Sequence, residues 1–198
     1  LFAFKDQVSP EPDLPGLRVA PTRPTSIVAY RDMFAADKKK PLLFYCGRQL
    51  AMTRPEFILV SILPKPLMEL NYLLQAACLL VNPSYQAADA AEAQARARRL
   101  KRALDEKGFG ILRSAVSEYL KNPKQYNLKR WVESVEHSIN RAGFVICNDI
   151  SVALAILRRE KAGLTPMRPV TKAMELLKFA SSPDYFKVRE MMGLKVDA

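Results

Sequence analysis

The stretch Pro41–Phe57, PLLFYCGRQLAMTRPEF, constrains this chain more than any other, because it is apolar almost all the way round a helix. A helix without a polar face belongs in an interior. Yet Arg48 and Gln49 stand at its centre, and a buried guanidinium or amide needs partners. The sequence therefore asks for a central helix whose polar groups are met by other elements.

Residues 1–40 and 41–198 read differently. LFAF, LRVAPT and SIVAY are short β-rich pieces separated by SPEPDLPG and PTRP, which predicts two or three short strands joined by proline-punctuated loops. AADKKK makes a charged turn, with DKKK at 37–40 a solvated loop charge run, before the helix at Pro41. Thr53-Arg-Pro-Glu56 has the pattern of a capping box, ending one helix and starting another through EFILVSIL. Pro66–Val81 reads as a mostly buried helix closed by Asn82-Pro83. Residues 85–106 form an Ala/Arg-rich helix that Gly108 and Gly110 break, and ILRSAVSEYL runs to Asn122-Pro123.

The clearest periodicity lies in NLKRWVESVEHSINRAGFVI, where Leu128, Trp131, Val132, Val135, Ile139 and Ala142 have core spacing. Asn148 or Asp149 caps ISVALAILRRE, which Gly163 terminates. Two short helices finish the chain, the last opened by Ser182-Pro183 and anchored by Tyr185 and Phe186. The expected class is α+β, mainly α: one domain over 1–198, with a small N-terminal sheet followed by about seven helices.

Composition narrows the function classes. The longest apolar run, around Phe57–Leu63, is interrupted by Pro64 and Pro66, so no membrane span is expected. Leucine stands first with no leader pattern before the fold, which reads as a fragment of a longer chain. Cys46, Cys78 and Cys147 are far apart in apolar surroundings, as free thiols in a reducing, cytoplasmic compartment would be. There is no C-x-x-C and His137 is the sole histidine, which disfavours an ordinary Cys/His zinc site. Nucleotide-binding and serine-hydrolase glycine motifs do not occur. The one outlier is a net charge of +11, compatible with nucleic acid, an anionic membrane surface or an acidic protein.

On the first helix Arg48 and Met52 lie about 40° apart on one face, with Gln49 beside them. That is the spacing of H-E-x-x-H, in which two histidines grip zinc and the glutamate is general base. Downstream, Glu136-His-Ser-Ile-Asn140-Arg-Ala-Gly143 resembles the E-x-x-A-D-R-A-G stretch of one gluzincin group. This group contains the heat-shock and prenyl-protein-processing integral-membrane proteases and their soluble relatives. PTSIVAYRDMF before the helix and FVICNDISVALAIL after the glutamate extend the resemblance over roughly residues 20–160. The resemblance implies a zincin-like arrangement with Glu136 as the third zinc ligand.

The departures remove the chemistry that the resemblance implies. Arg48 presents no lone pair, Gln49 cannot take a proton from water, and the Met52 thioether is poorly matched to catalytic zinc. Only Glu136 survives as a ligand type, so no metal, no other cofactor and no catalytic residue is expected. With Leu128 at 0°, Glu136 falls near about 80°, at the edge of the apolar stripe, and His137 near about 180°, facing solvent. We expect Arg48 to take the vacated metal position and pair with Glu136, tying the two helices together. Gly47 would let a neighbouring element approach that helix closely.

The expected function is that of a non-catalytic, metallopeptidase-like module, structural or protein-binding, within a larger protein. The resemblance places such domains in large bacterial proteins with helical repeats, where a protein partner or other domains of the same chain would meet it. Two alternatives stay open. One is a working metalloenzyme with a site rearranged around Glu133, Glu136, His137 and a cysteine. The other is a nucleic-acid-binding domain using Arg98, Arg99 and Arg102, which crowd away from the stripe of Ala93, Ala97, Leu100 and Leu104. It is less favoured, because no aromatic residue interleaves those arginines and Glu92, Asp105 and Glu106 flank them.

Overall fold

A computed structural model describes residues 2–5, 17–20, 22, 24–34, 38–160 and 163–194. The proline-rich loop expected at 9–16, and parts of PTRP and AADKKK, lie outside these residues. Among them are three strands and nine α-helices, against about seven expected. The chain divides into two compact units, residues 1–62 with 132–198, and residues 63–131.

The first unit opens with β1 (Phe2–Lys5), β2 (Leu17–Ala20) and β3 (Ser26–Tyr30), ordered β1-β3-β2. β1 runs parallel to β3, with Phe2 opposite Ile27. β2 runs antiparallel to it, with Leu17 opposite Ala29 and Val19 opposite Ile27. The period-two alternation buries Leu17, Val19, Ile27 and Ala29 and leaves Arg18 exposed. That face packs with Met33 on Leu42, Tyr45 and Cys46 of α1 (Lys39–Met52).

The helical part of this unit comprises α1, the short α2 (Ile58–Ile62), most of α6 (Leu128–Cys147), α7 (Ile150–Arg159), α8 (Pro169–Ala180) and α9 (Pro183–Met191). Its core joins Phe44, Phe144, Val145, Cys147, Ala153, Leu157, Leu176 and Tyr185. The Tyr185 ring stacks on Phe144 at 4.6 Å, whereas Phe186 is exposed, so only the first of the two expected anchors is buried. At the end of α6 Asn148 adopts φ 48°, a left-handed conformation that asparagine tolerates. Asp149 then caps α7 by accepting the Val152 N–H at 3.0 Å.

The second unit contains α3 (Pro66–Val81), α4 (Ala90–Ala103), α5 (Glu106–Lys121) and the first turn of α6. Ala77, Cys78 and Val116 form its centre, with Leu74, Tyr85, Leu100, Leu112 and Tyr119 around them. Ala93 and Ala97 are the buried residues of α4, small enough to let helices pack closely.

Three local expectations are corrected. Gly108 and Gly110 lie inside α5; the break falls at Leu104–Asp105, where Asp105 caps the new helix by accepting the Gly108 N–H at 2.7 Å. Thr53 opens no helix: its hydroxyl donates back to Leu50 O at 2.7 Å at the end of α1, and Glu56 pairs with Arg54. Trp131, expected in the core, is 37% exposed, because the apolar stripe of α6 is carried by Val132, Val135 and Ile139.

Candidate functional site: a buried ion network

α1 and α6 meet at two glycines. A Cβ on Gly47 would lie 2.6 Å from Ala142 O and 2.8 Å from Gly143 Cα; one on Gly143 would lie 2.7 Å from Phe44 O and 2.9 Å from Arg48 Cγ. Only hydrogen on both α-carbons permits this approach. The close neighbour expected at Gly47 is therefore α6, and the two stretches that carry the resemblance lie against each other. Arg48, Gln49, Met52, Glu136 and Asn140 are all buried.

Arg48 does not pair directly with Glu136. Its Nη1 donates to Glu160 Oε1 at 2.9 Å, just past the end of α7. Glu136 instead meets the Lys172 ammonium of α8, Nζ to Oε1 at 2.5 Å, and Lys172 also lies 3.2 Å from Glu160 Oε2. The other oxygen of Glu136 accepts from the Thr165 N–H at 3.0 Å and from the Thr165 hydroxyl. Two cations and two carboxylates thus alternate as Arg48–Glu160–Lys172–Glu136, closed by Thr165. Glu136 is 0% and Lys172 2% exposed, so these two are shielded from water and depend on their partners, while Glu160 stands at the partly exposed edge of the set. The expected pairing fails because a second buried cation is nearer to the carboxylate.

Gly163 and Thr165, before α8, lie directly against this network. A side chain on Gly163 would collide with Glu136 Oε1 and Lys172 Nζ, so glycine there allows the chain to pass directly over the pair. Gln49 is used differently: its Oε1 accepts the Val19 N–H at 3.0 Å, fastening β2 to α1. Lys40 Nζ donates to Cys147 O at 3.1 Å and Arg189 Nη1 to Val145 O at 2.6 Å, meeting the carbonyl end of α6 as cations favourably do. Lys40, read as part of a loop charge run, lies in the first turn of α1.

His137 is half-buried, not solvent-facing as the helical wheel predicts. The wheel assumes one covered face, but α6 also lies beside α8, where Arg141 reaches Glu175 at 3.7 Å. Burial pushes the His137 imidazole below its ordinary value, against the opposing pull of Glu175. Asn140, one turn beyond Glu136, is buried, and its amide hydrogen-bonds to no protein group among the described residues. Burial raises all three thiols, Cys46, Cys78 and Cys147, which disfavours thiolate chemistry. Arg98, Arg99 and Arg102 are exposed on α4 as expected.

Residues of this kind do not fit a divalent metal ion. An ammonium bridges the two carboxylates, and a guanidinium pairs with one of them. Among the described residues no three His, Cys, Asp or Glu side chains gather as a metal-holding group, so the rearranged site built from Glu133, Glu136, His137 and a cysteine is not assembled there. What the arrangement can do is structural: it joins α1, α6, the end of α7, the Thr165 segment and α8.

Glu160, Thr165 and Lys172 are missing from the sequence reading. Two had a signal. Lys172 stands four and seven residues before Leu176 and Phe179, a core position of α8, and Glu160 stands three and seven after Leu157 and Ala153, in line with the core stripe of α7 just past its end. Thr165 had none, being placed by an irregular segment. No known protein family, curated protein or solved structure matches this chain.

Proposed function

We propose that this chain is a catalytically silent, metallopeptidase-like module with a structural or protein-binding role in a larger protein. One observation supports the reading: the Glu136 carboxylate, which the resemblance would make a zinc ligand, is bound instead to the Lys172 ammonium that it shares with Glu160. A fixed ammonium does mechanically what a coordinated cation does, but it offers no Lewis acid and no activated water. Gln49, at the position of a general base, has its amide oxygen committed to Val19. Among the described residues no helix is long and apolar enough to cross a membrane.

Metal analysis of protein purified without chelators from zinc-supplemented medium tests this reading, together with an assay on a panel of unstructured peptides. The expected result is zinc far below one ion per chain and no cleavage above background. Near-stoichiometric zinc, or cleavage abolished by Glu136→Gln, would overturn it.

A further inference from the structure

The second unit carries its own surface, independent of the buried network. Between Glu118 and Glu133 the sequence contains no acidic residue, but does contain Lys121, Lys124, Lys129 and Arg130. Tyr126 and Trp131 fall among them, 52% and 37% exposed. Lys124, Lys129 and Arg130 are also exposed. This is the interleaving of cations with aromatic rings that the α4 arginines lack.

The two rings stand on hydrogen-bonded backbone. Tyr126 follows a 3-10 turn, Pro123–Gln125, in which the Gln125 N–H donates to Asn122 O at 3.1 Å and the Tyr126 N–H to Pro123 O at 3.2 Å. Its ring lies 5.6 Å from Tyr119, whose side chain packs against the core of this unit. Trp131 sits in the first turn of α6, where its N–H reaches Asn127 O at 2.9 Å and the Arg130 N–H reaches Asn127 Oδ1 at 2.9 Å. Five residues of chain keep the two Cα atoms within roughly 18 Å of each other, a span that a short oligonucleotide covers.

We propose that residues 121–131 bind single-stranded nucleic acid, with Tyr126 and Trp131 stacking on bases and Lys124, Lys129 and Arg130 meeting phosphates. Every base offers a π-face, so exposed rings on a fixed frame suit unpaired strands, while the cations supply sequence-independent attraction. An anionic membrane would also attract the cations. The exposed large apolar residues of this segment are the two aromatics alone, however, with no exposed aliphatic side chain to enter acyl chains. Across residues 63–131 Lys and Arg outnumber Asp and Glu twelve to six, which favours a polyanion over an acidic helix that would need an apolar seam.

Trp131 is the only tryptophan, so its fluorescence reports directly on stacking. The test titrates the full chain with oligo-dT and oligo-U of twelve nucleotides, with a twelve-base-pair duplex and with vesicles of mixed neutral and anionic phospholipid. Saturable quenching by the single strands is expected, weakening about twentyfold between about 50 and 200 mM salt if three phosphates are met. Tyr126→Ala should weaken binding at least about fivefold. So should Lys129→Glu, with labelled oligo-dT anisotropy as a second readout and circular dichroism confirming the fold. Arg98→Glu should change little. The proposal is overturned by absence of quenching and of anisotropy change at low salt, or by a blue shift with vesicles but no response to oligonucleotide. Binding that survives both 121–131 variants yet fails in Arg98→Glu overturns it equally.

Discussion

In the first unit Lys172 and Glu136 are almost wholly removed from water and depend on Glu160, Arg48 and Thr165. In the second unit Arg98, Arg99 and Arg102 face solvent above a seam of Ala93 and Ala97. Both units hold helices together around apolar cores. The first adds a network of inward charges, whereas the second has a partly buried pair between α4 and α3, Arg96–Glu69 at 2.7 Å, and turns its other α4 arginines outward. Removing one partner from a buried charge set leaves an uncompensated charge out of water, which costs far more than losing an exposed one. The first unit is therefore brittle toward single substitutions that the second should absorb.

The largest expected effect separates the two units at once. Lys172→Met leaves Glu136 and Glu160 buried without their shared cation and should cost about 3–5 kcal/mol of unfolding free energy, read by chemical denaturation. Arg102→Glu, on the outward face, should change it by less than about 0.5 kcal/mol. Equal effects would break the comparison.

Glycine substitutions sharpen it next. Gly143→Ala places a methyl group 2.7 Å from Phe44 O and should destabilise by about 1–3 kcal/mol through forced separation of α1 and α6. Gly110→Ala in α5 meets nothing within 4 Å and should stabilise by about 0.5–1 kcal/mol, since alanine is the better helix former. The thermal midpoints should move in opposite directions.

Helix capping in the second unit comes third. Asp105→Ala removes the acceptor for the Gly108 N–H and should cost about 1 kcal/mol. Hydrogen exchange should quicken first at the start of α5.

The smallest effect concerns His137 in the first unit. Burial depresses its imidazole, with Glu175, Glu136 and Glu133 opposing that shift and Arg141 adding to it. As pH falls below the unfolded value, near about 6.5, the unfolded chain takes up the proton first. Stability is therefore lost from that pH down through the folded value, and is unaffected above it. His137→Gln should flatten the loss in that window, seen as the difference between the two denaturation profiles across pH.

Much of this organisation can be read from sequence, and the failures are physical. Alternation in LRVA and SIVAY, and the proline stops at 83 and 123, locate strands and helix ends because they act within a few residues. Gly47 announces a close neighbour, and Glu136 announces an inward carboxylate. The partner of that carboxylate is not announced. Sequence shows that an inward charge needs an opposite one, but choosing Lys172 over Arg48 requires the distance between α6 and α8, which no local pattern encodes. His137 and Trp131 fail for a related reason: a wheel assigns one buried face, whereas α6 is covered along His137 and open along Trp131.

The central claim is that the Lys172 ammonium is the internal cation binding Glu136. A double-mutant cycle tests it most directly, comparing the unfolding free energies of Lys172→Met, Glu136→Gln and the double variant. We predict that the double variant loses less than the sum of the single losses by about 1–3 kcal/mol. Additivity within about 0.5 kcal/mol would contradict the account.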